Sequence, residues 1–201
     1  MLVLSQPTQA GYIVTLQQVG SDVVATGSGV IDLTGLTLLS PPFSTAFQNL
    51  LRRINPPSLN SGGGVIVTGP MSQPFDCYNT VSGPISFGVG SLTLASSGTG
   101  DDVGILPNNG ILIVPQGYVS EASLVNIATW NGATFSSLGV TPGVYEWTWG
   151  TGDDQNFTLE IVSTPNTIDD CKNNGWQTLT HGDGSSFRNQ GQCIQYVNTG
   201  K

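Results

Sequence analysis

The stretch Gly143-Val144-Tyr145-Glu146-Trp147-Thr148-Trp149, a turn Gly150-Thr151-Gly152-Asp153-Asp154, and the return Asn156-Phe157-Thr158-Leu159-Glu160-Ile161-Val162 decide how this chain folds. Successive side chains of a strand point to opposite faces. Alternation puts Tyr145, Trp147 and Trp149 on one face, with Val144, Glu146 and Thr148 on the other, and it gathers Phe157, Leu159 and Ile161 on the partner strand. Two strands that are apolar on one side only bury that side against a second layer, which is the construction of a sandwich. The aromatic stripe is therefore expected in the core, although rings with flat apolar faces and polar edges can also stack a sugar.

Outward from this hairpin the chain reads as strand after strand. Apolar or alternating runs occur at 12–19, 23–33, 65–68, 85–87, 92–95 and 111–114, with Gly27 and Gly29 as expected bulge positions. Residues 125–130 and 133–137 flank Asn131-Gly132, a pair that accepts positive φ in a type I′ turn, so a hairpin is expected there. The links suit antiparallel pairing and nothing reads as repeated βαβ units. The fold class is thus all-β: an antiparallel β-sandwich, of which the jelly roll is one version.

One stretch breaks the β rhythm. Phe43, Phe47, Leu50, Leu51 and Ile54 recur at helical spacing after Ser44, a residue able to cap, and predict a short amphipathic helix lying on the sheet. Past the linker Ser163-Thr164-Pro165-Asn166 the register changes again. Thr167 or Asp169 is a plausible cap ahead of Cys171, and a second short helix is expected over about 189–198, with Cys193, Ile194 and Val197 on one side. The organisation is then a terminal remnant (1–10), a sandwich (11–163) and a small C-terminal module (164–201). Residues 1–10 end in Thr8-Gln9-Ala10, which reads as the tail of a secretion signal or, equally, as an ordinary disordered terminus.

Composition narrows the chemistry. Charged residues make up 9% of 201 positions, there is a single histidine, and five basic against thirteen acidic residues leave a net charge of −8. Nucleic-acid binding needs clustered Lys and Arg, and Arg52-Arg53 is the one adjacent pair, so nucleic acid is not an expected partner. No apolar run reaches the length of a membrane span. Hydroxyl and amide residues with 27 Gly and 12 Pro suit a β-rich, turn-rich protein of the kind found among extracellular bacterial proteins. Three cysteines, Cys77, Cys171 and Cys193, are compatible with one disulfide and one odd thiol; Cys77, near Phe75 and Tyr78, reads as a buried thiol.

Two resemblances follow from longer runs. Val23-Val24-Ala25-Thr26-Gly27-Ser28-Gly29 with Asp32-Leu33-Thr34-Gly35-Leu36, then Val114-Pro115-Gln116-Gly117-Tyr118-Val119-Ser120, and above all Phe135-Ser136-Ser137-Leu138-Gly139-Val140-Thr141-Pro142-Gly143-Val144-Tyr145-Glu146-Trp147-Thr148-Trp149-Gly150 resemble PEP-CTERM-type exported bacterial proteins. The resemblance covers most of residues 11–162. It implies export and a β-rich fold and brings no catalytic residues. The family's Pro-Glu-Pro sorting motif, apolar helix and basic tail have no counterpart after Val162 here, which departs from the family pattern. In that place, Cys171-Lys172-Asn173-Asn174-Gly175-Trp176 and Phe187-Arg188-Asn189-Gln190-Gly191-Gln192-Cys193-Ile194 are similar to a two-cysteine module appended to bacterial exported proteins. A Cys171–Cys193 bridge there would close a loop of about 22 residues and contribute about 3 kcal/mol. A module so small needs such a staple, with Trp176 and Phe187 filling its core.

Candidate sites are few. His181-Gly182-Asp183-Gly184-Ser185-Ser186 holds the residue types of a hydrolase triad, but in a Gly-rich turn that reads as a surface loop. Gly-Thr-Gly-Asp-Asp occurs twice, so Asp101, Asp102, Asp153 and Asp154 could share a calcium ion if the two loops met at one end of the sandwich; ordinary turn chemistry explains the same residues. Glu121, Glu146 and Glu160 are the only glutamates available to a glycosidase, and the last two sit on an exposed sheet surface. The expectation is a non-catalytic secreted or envelope-associated protein with no cofactor and a structural or interaction role. Extracellular polysaccharide and envelope proteins are its partner classes. A carbohydrate- or calcium-binding module is the alternative reading, and a hydrolase the distant one.

Overall fold

A computed structural model describes residues 11–39, 57–70, 74–165, 167–177, 179–181 and 185–200. The expected helix over 43–54, the Arg52-Arg53 pair and the remnant 1–10 lie outside the described residues.

The strands, in chain order, are β1 (Tyr12–Val19), β2 (Asp22–Gly29), β3 (Thr37–Leu38), β4 (Ser58–Asn60), β5 (Val65–Thr68), β6 (Phe75–Asn79), β7 (Thr93–Leu94), β8 (Ser97–Gly100), β9 (Val103–Leu106), β10 (Ile111–Pro115), β11 (Leu124–Trp130), β12 (Gly143–Thr148) and β13 (Asn156–Val162). They form two sheets, one ordered β12-β13-β1-β2-β11-β8 and the other β3-β6-β10-β9-β5-β4-β7. This is the all-β sandwich expected from the sequence, with a small helical appendage after it.

The quoted hairpin forms in the expected register, with Trp147 opposite Phe157 and Tyr145 opposite Leu159. Trp147, Phe157 and Leu159 are fully buried, Trp149 is buried, and Val144 on the outer face is 70% exposed. Trp147 sits edge-on between Phe157 (5.8 Å) and Phe87 (6.5 Å). Each core indole also finds an acceptor: Trp147 Nε1 donates to the Pro84 carbonyl (2.7 Å), Trp149 Nε1 to the Asp32 carbonyl (2.7 Å) and Trp130 Nε1 to the Thr93 carbonyl (3.3 Å). Rings of this size join a core at little polar cost only when the N–H is bonded.

Four sequence readings need correction. First, the strand pairing is not wholly antiparallel, because β1 lies between β2 and β13 and runs parallel to β13, from Tyr12 opposite Phe157 to Gln17 opposite Val162. Parallel neighbours need a long crossover, and here the whole intervening sandwich supplies it. Second, the Asn131-Gly132 turn forms, with Gly132 at φ +64°, but no return strand follows. Ala133-Thr134-Phe135-Ser136 alternates as a strand would, but Thr134 and Ser137 make a reciprocal capping box that starts a four-residue helix, Phe135–Leu138. Third, Gly27 and Gly29 pair without interruption on both sides, so neither is a bulge. A Cβ on Gly27 would strike the Tyr12 hydroxyl and the Asn126 amide, so that glycine is a matter of space. Fourth, 85–87 is not a strand: Ile85 is exposed and Phe87 alone plugs the core.

The second sheet is buried on both sides. Leu59, Ile66, Ile105, Leu112 and Val114 face the inner core, while Val65, Val67, Cys77, Leu106, Ile111 and Ile113 form a second cluster on the opposite face, with Leu39 and Phe75 packed against it. Its strands accordingly read as unbroken apolar runs such as Ile111-Leu112-Ile113-Val114 instead of alternating.

The C-terminal module is pinned by the Cys171–Cys193 disulfide, which spans 22 residues with Cα atoms 5.7 Å apart. Around the bond pack Phe187, Trp176, Leu179, Ile194, Tyr196 and Val197. Thr167 is the cap, with its hydroxyl and the Asp170 carboxylate bonded reciprocally, and Asn189 caps the helix Gln190–Thr199. Removing the central ring tests this architecture. Trp147→Ala should cost about 3–5 kcal/mol of unfolding free energy, read as a lower urea midpoint, whereas Val144→Ala on the exposed face should leave the midpoint near its original value.

Candidate functional site

The sequence candidates first. The two Asp-Asp loops do not converge on an ion, since among the described residues no three acidic, His or Cys side chains form a group able to hold a metal. Their carboxylates hold turns together instead. Asp101 accepts the Val125 N–H (2.8 Å), and Asp154 accepts the Gly11 N–H (2.9 Å). Asp102 is buried beside Gly69, and Asp153 lends its backbone carbonyl to the Asn156 amide (2.7 Å).

His181 comes within 3.0 Å of the Ser185 hydroxyl through Nδ1, but the same nitrogen lies 2.9 Å from the Ser185 backbone carbonyl. A carbonyl oxygen only accepts, whereas a hydroxyl donates or accepts, so the ring's tautomer decides which of the two contacts this nitrogen serves. The imidazole packs on Phe187 at 4.1 Å and meets Tyr196 edge-on at 5.2 Å, as part of the module's small core. Asp183 lies outside the described residues. Glu146 and Glu160 share the exposed face of the hairpin but stand opposite Thr158 and Val144, not opposite each other. Glu121 sits in a separate turn with its N–H on the Ile31 carbonyl.

Cys77 is free and buried on the outer face of the second sheet. Burial, with a smaller contribution from Asp76, pushes its thiol up to about 12, so it stays protonated and unreactive at neutral pH. Burial, with the Asp101 carboxylate adding, drives the Tyr12 phenol well above its ordinary range, and its contacts with Thr68 and Asn126 offset only part of that rise.

The most connected polar residue was not singled out by its chemistry in the sequence. Asp32 accepts the Thr34 N–H (2.9 Å), the Ser120 hydroxyl (3.2 Å) and the Gln155 amide (3.0 Å), while its backbone carbonyl takes the Trp149 indole. Gln155 in turn donates to the Thr34 carbonyl and accepts the Gly152 N–H. One carboxylate thereby fastens three loops at the same end of the sandwich. The spacing Asp32-Leu33-Thr34 is the one local clue, since an Asp can bond the N–H two residues ahead.

Two depressions stand out on the surface of the described residues. One, of about 250 Å³, lies over the outer face of β2, β8 and β11 and is lined mainly by Thr26, Ser28, Thr99, Val125 and Ile127, with no ring and no charged side chain. The other, of about 300 Å³, opens where the sandwich meets the C-terminal module and is lined by Gln18, Phe135, Ser163, Thr164, Asp170, Gly175 and Leu179. Its walls come from both modules, held in place by the Thr180 N–H on the Ser163 carbonyl (2.8 Å). The junction cleft, with a ring, an amide, hydroxyls and a carboxylate, is the better equipped of the two.

Set beside known proteins, the chain matches no protein-family model, no curated protein and no solved structure. The site must be read from its own residues.

The Asp32 node has a measurable consequence. The Thr34 N–H first of all, with Thr34, Ser120 and Gln155 side chains adding, holds the Asp32 carboxyl below its usual value. A carboxyl lowered in the folded state stabilises at pH values above its unfolded pKa of about 4, and that contribution disappears as pH falls through the folded value. Asp32→Ala should therefore be less stable than wild type at pH 7, and the gap between their urea midpoints should narrow by pH 3.

Proposed function

We propose that the protein is a non-catalytic structural or interaction protein working outside the cytoplasm, secreted or held at the cell envelope. One observation carries the reading: several of the side chains capable of chemistry are taken up by the fold. His181 packs against Phe187 and Tyr196, Cys77 is buried, and Asp32, Asp101 and Asp154 accept backbone N–H groups. Of the rings that would make a sugar platform on the sheet, Trp147 and Trp149 are buried and Tyr145 is half-buried against the core.

Three things support the compartment. A stable disulfide belongs to oxidising surroundings, and Cys171–Cys193 is oxidised. No helix among the described residues is long and apolar enough to cross a membrane. The run through Gly150 resembles PEP-CTERM-type exported proteins.

Fractionation of the native source with thiol titration tests this reading. The chain should be found in the medium or envelope fraction, and unfolded without reductant it should yield one thiol from its three cysteines. A cytosolic chain yielding three thiols would overturn the compartment. Turnover of an ester, peptide or glycoside substrate that His181→Ala abolishes would overturn the non-catalytic role.

A further inference from the structure

The junction cleft contains a selective set of groups. Gln18 stands at the end of β1, Phe135 opens the four-residue helix, Ser163 and Thr164 directly follow β13, and Asp170, Gly175 and Leu179 come from the stapled module. Phe135 is half-buried, so part of its ring faces solvent, and Leu179 is half-buried as well. At about 300 Å³ the cleft is at the small end of ligand pockets, and the junction of two modules is a favoured place for one.

The lining among the described residues disfavours two ligand classes. It holds no Lys, Arg or His to neutralise an anion. Its one carboxylate among those residues belongs to Asp170, whose Oδ2 already accepts the Thr167 N–H at 2.7 Å. A divalent cation needs six or more oxygen ligands with several charges among them, which this wall does not supply. A neutral polyhydroxylated ring matches what remains. The C–H face of such a ring can lie against Phe135, its hydroxyls can donate to the Asp170 carboxylate and the Gln18 carbonyl, and they can accept from the Gln18 amide and the Ser163 and Thr164 hydroxyls.

We propose that the cleft between sandwich and C-terminal module binds a neutral sugar ring, as a free monosaccharide or as the terminal residue of a neutral glycan. This deepens the interaction role proposed above and rests on it. It also gives the disulfide a functional purpose, because three of the lining residues, Asp170, Gly175 and Leu179, belong to the module that it staples.

The experiment is a ¹⁵N amide-shift titration of the full chain with glucose, galactose, mannose and N-acetylglucosamine, with glucuronate and calcium chloride as the charged probes. A neutral sugar should produce saturable shifts at the amides of Gln18, Phe135, Ser163, Thr164, Gly175 and Leu179, with a Kd on the order of 1 mM. Phe135→Ala, Gln18→Ala and Asp170→Asn should each weaken that binding by about tenfold. Asn retains an oxygen able to cap Thr167, so the last variant is expected to stay folded, and the dispersion of the unbound spectrum verifies this for all three. Reduction of Cys171–Cys193 should abolish the shifts while the amides of β1, β2 and β11 keep their positions.

The site is refuted if no neutral sugar moves these amides up to about 50 mM. It is equally refuted if glucuronate or calcium binds there in their place, or if the sugar shifts fall elsewhere and the variants leave them unchanged. The titration uses purified protein and is blind to compartment, so its failure leaves the fractionation result standing, and the reverse also holds.

Discussion

The parallel ladder between the first and last strands is the contact on which the rest of the molecule depends. Six residue pairs, from Tyr12–Phe157 to Gln17–Val162, join segments from opposite ends of the sandwich. β1 is the only neighbour through which the hairpin β12–β13 reaches β2 and the remainder of its sheet. Without that ladder Trp147, Trp149 and Phe157 lose their place in the inner layer, and Phe87 of the second sheet's side loses the ring it packs on. The C-terminal module hangs from the same strand, since Ser163, one residue past β13, receives the Thr180 N–H. A fold closed by so distant a pairing has high contact order, which makes its assembly slow relative to a fold of local hairpins.

The scarcity of charge takes on meaning once the acids are placed. Asp22, Asp32, Asp76, Asp101, Asp154 and Asp170 each accept a backbone N–H, several of them from a distant loop. A carboxylate so used is a charge-assisted staple for a turn whose N–H has no ladder partner. A chain rich in turns and poor in helices needs many such partners. The acidic balance of this protein reflects that need more than attraction to a basic ligand. Among the described residues, the junction cleft is lined mostly by neutral side chains, with Phe135 and Leu179 half-buried.

That distribution explains why the junction cleft escaped the sequence. Gln18, Phe135, Ser163 and Asp170 are unremarkable residues with no shared spacing. Phe135 was legible as part of a strand, and only the capping box of Thr134 and Ser137 turns it into the first residue of a helix facing the module. The Asp32 node was equally hidden, because Ser120 and Gln155 lie far from it along the chain. A hydrogen bond between loops leaves no periodic trace.

Alternation, by contrast, was sufficient for the layers. The residues of 143–162 dictated which side of the hairpin is dry, because a strand exposes every second side chain to the same surroundings, and Thr167 was legible by its side-chain oxygen as one of two candidate caps. The two-sheet class, the inward tryptophans and the small C-terminal helix follow from such local rules. Which strand lies beside which could not follow from them. The parallel neighbour of β1 and the shared cleft of Asp170 and Gln18 depend on packing between segments more than a hundred residues apart, the burial of the second sheet on both faces depends on packing between segments tens of residues apart, and period-two patterning is the same whichever partner a strand takes.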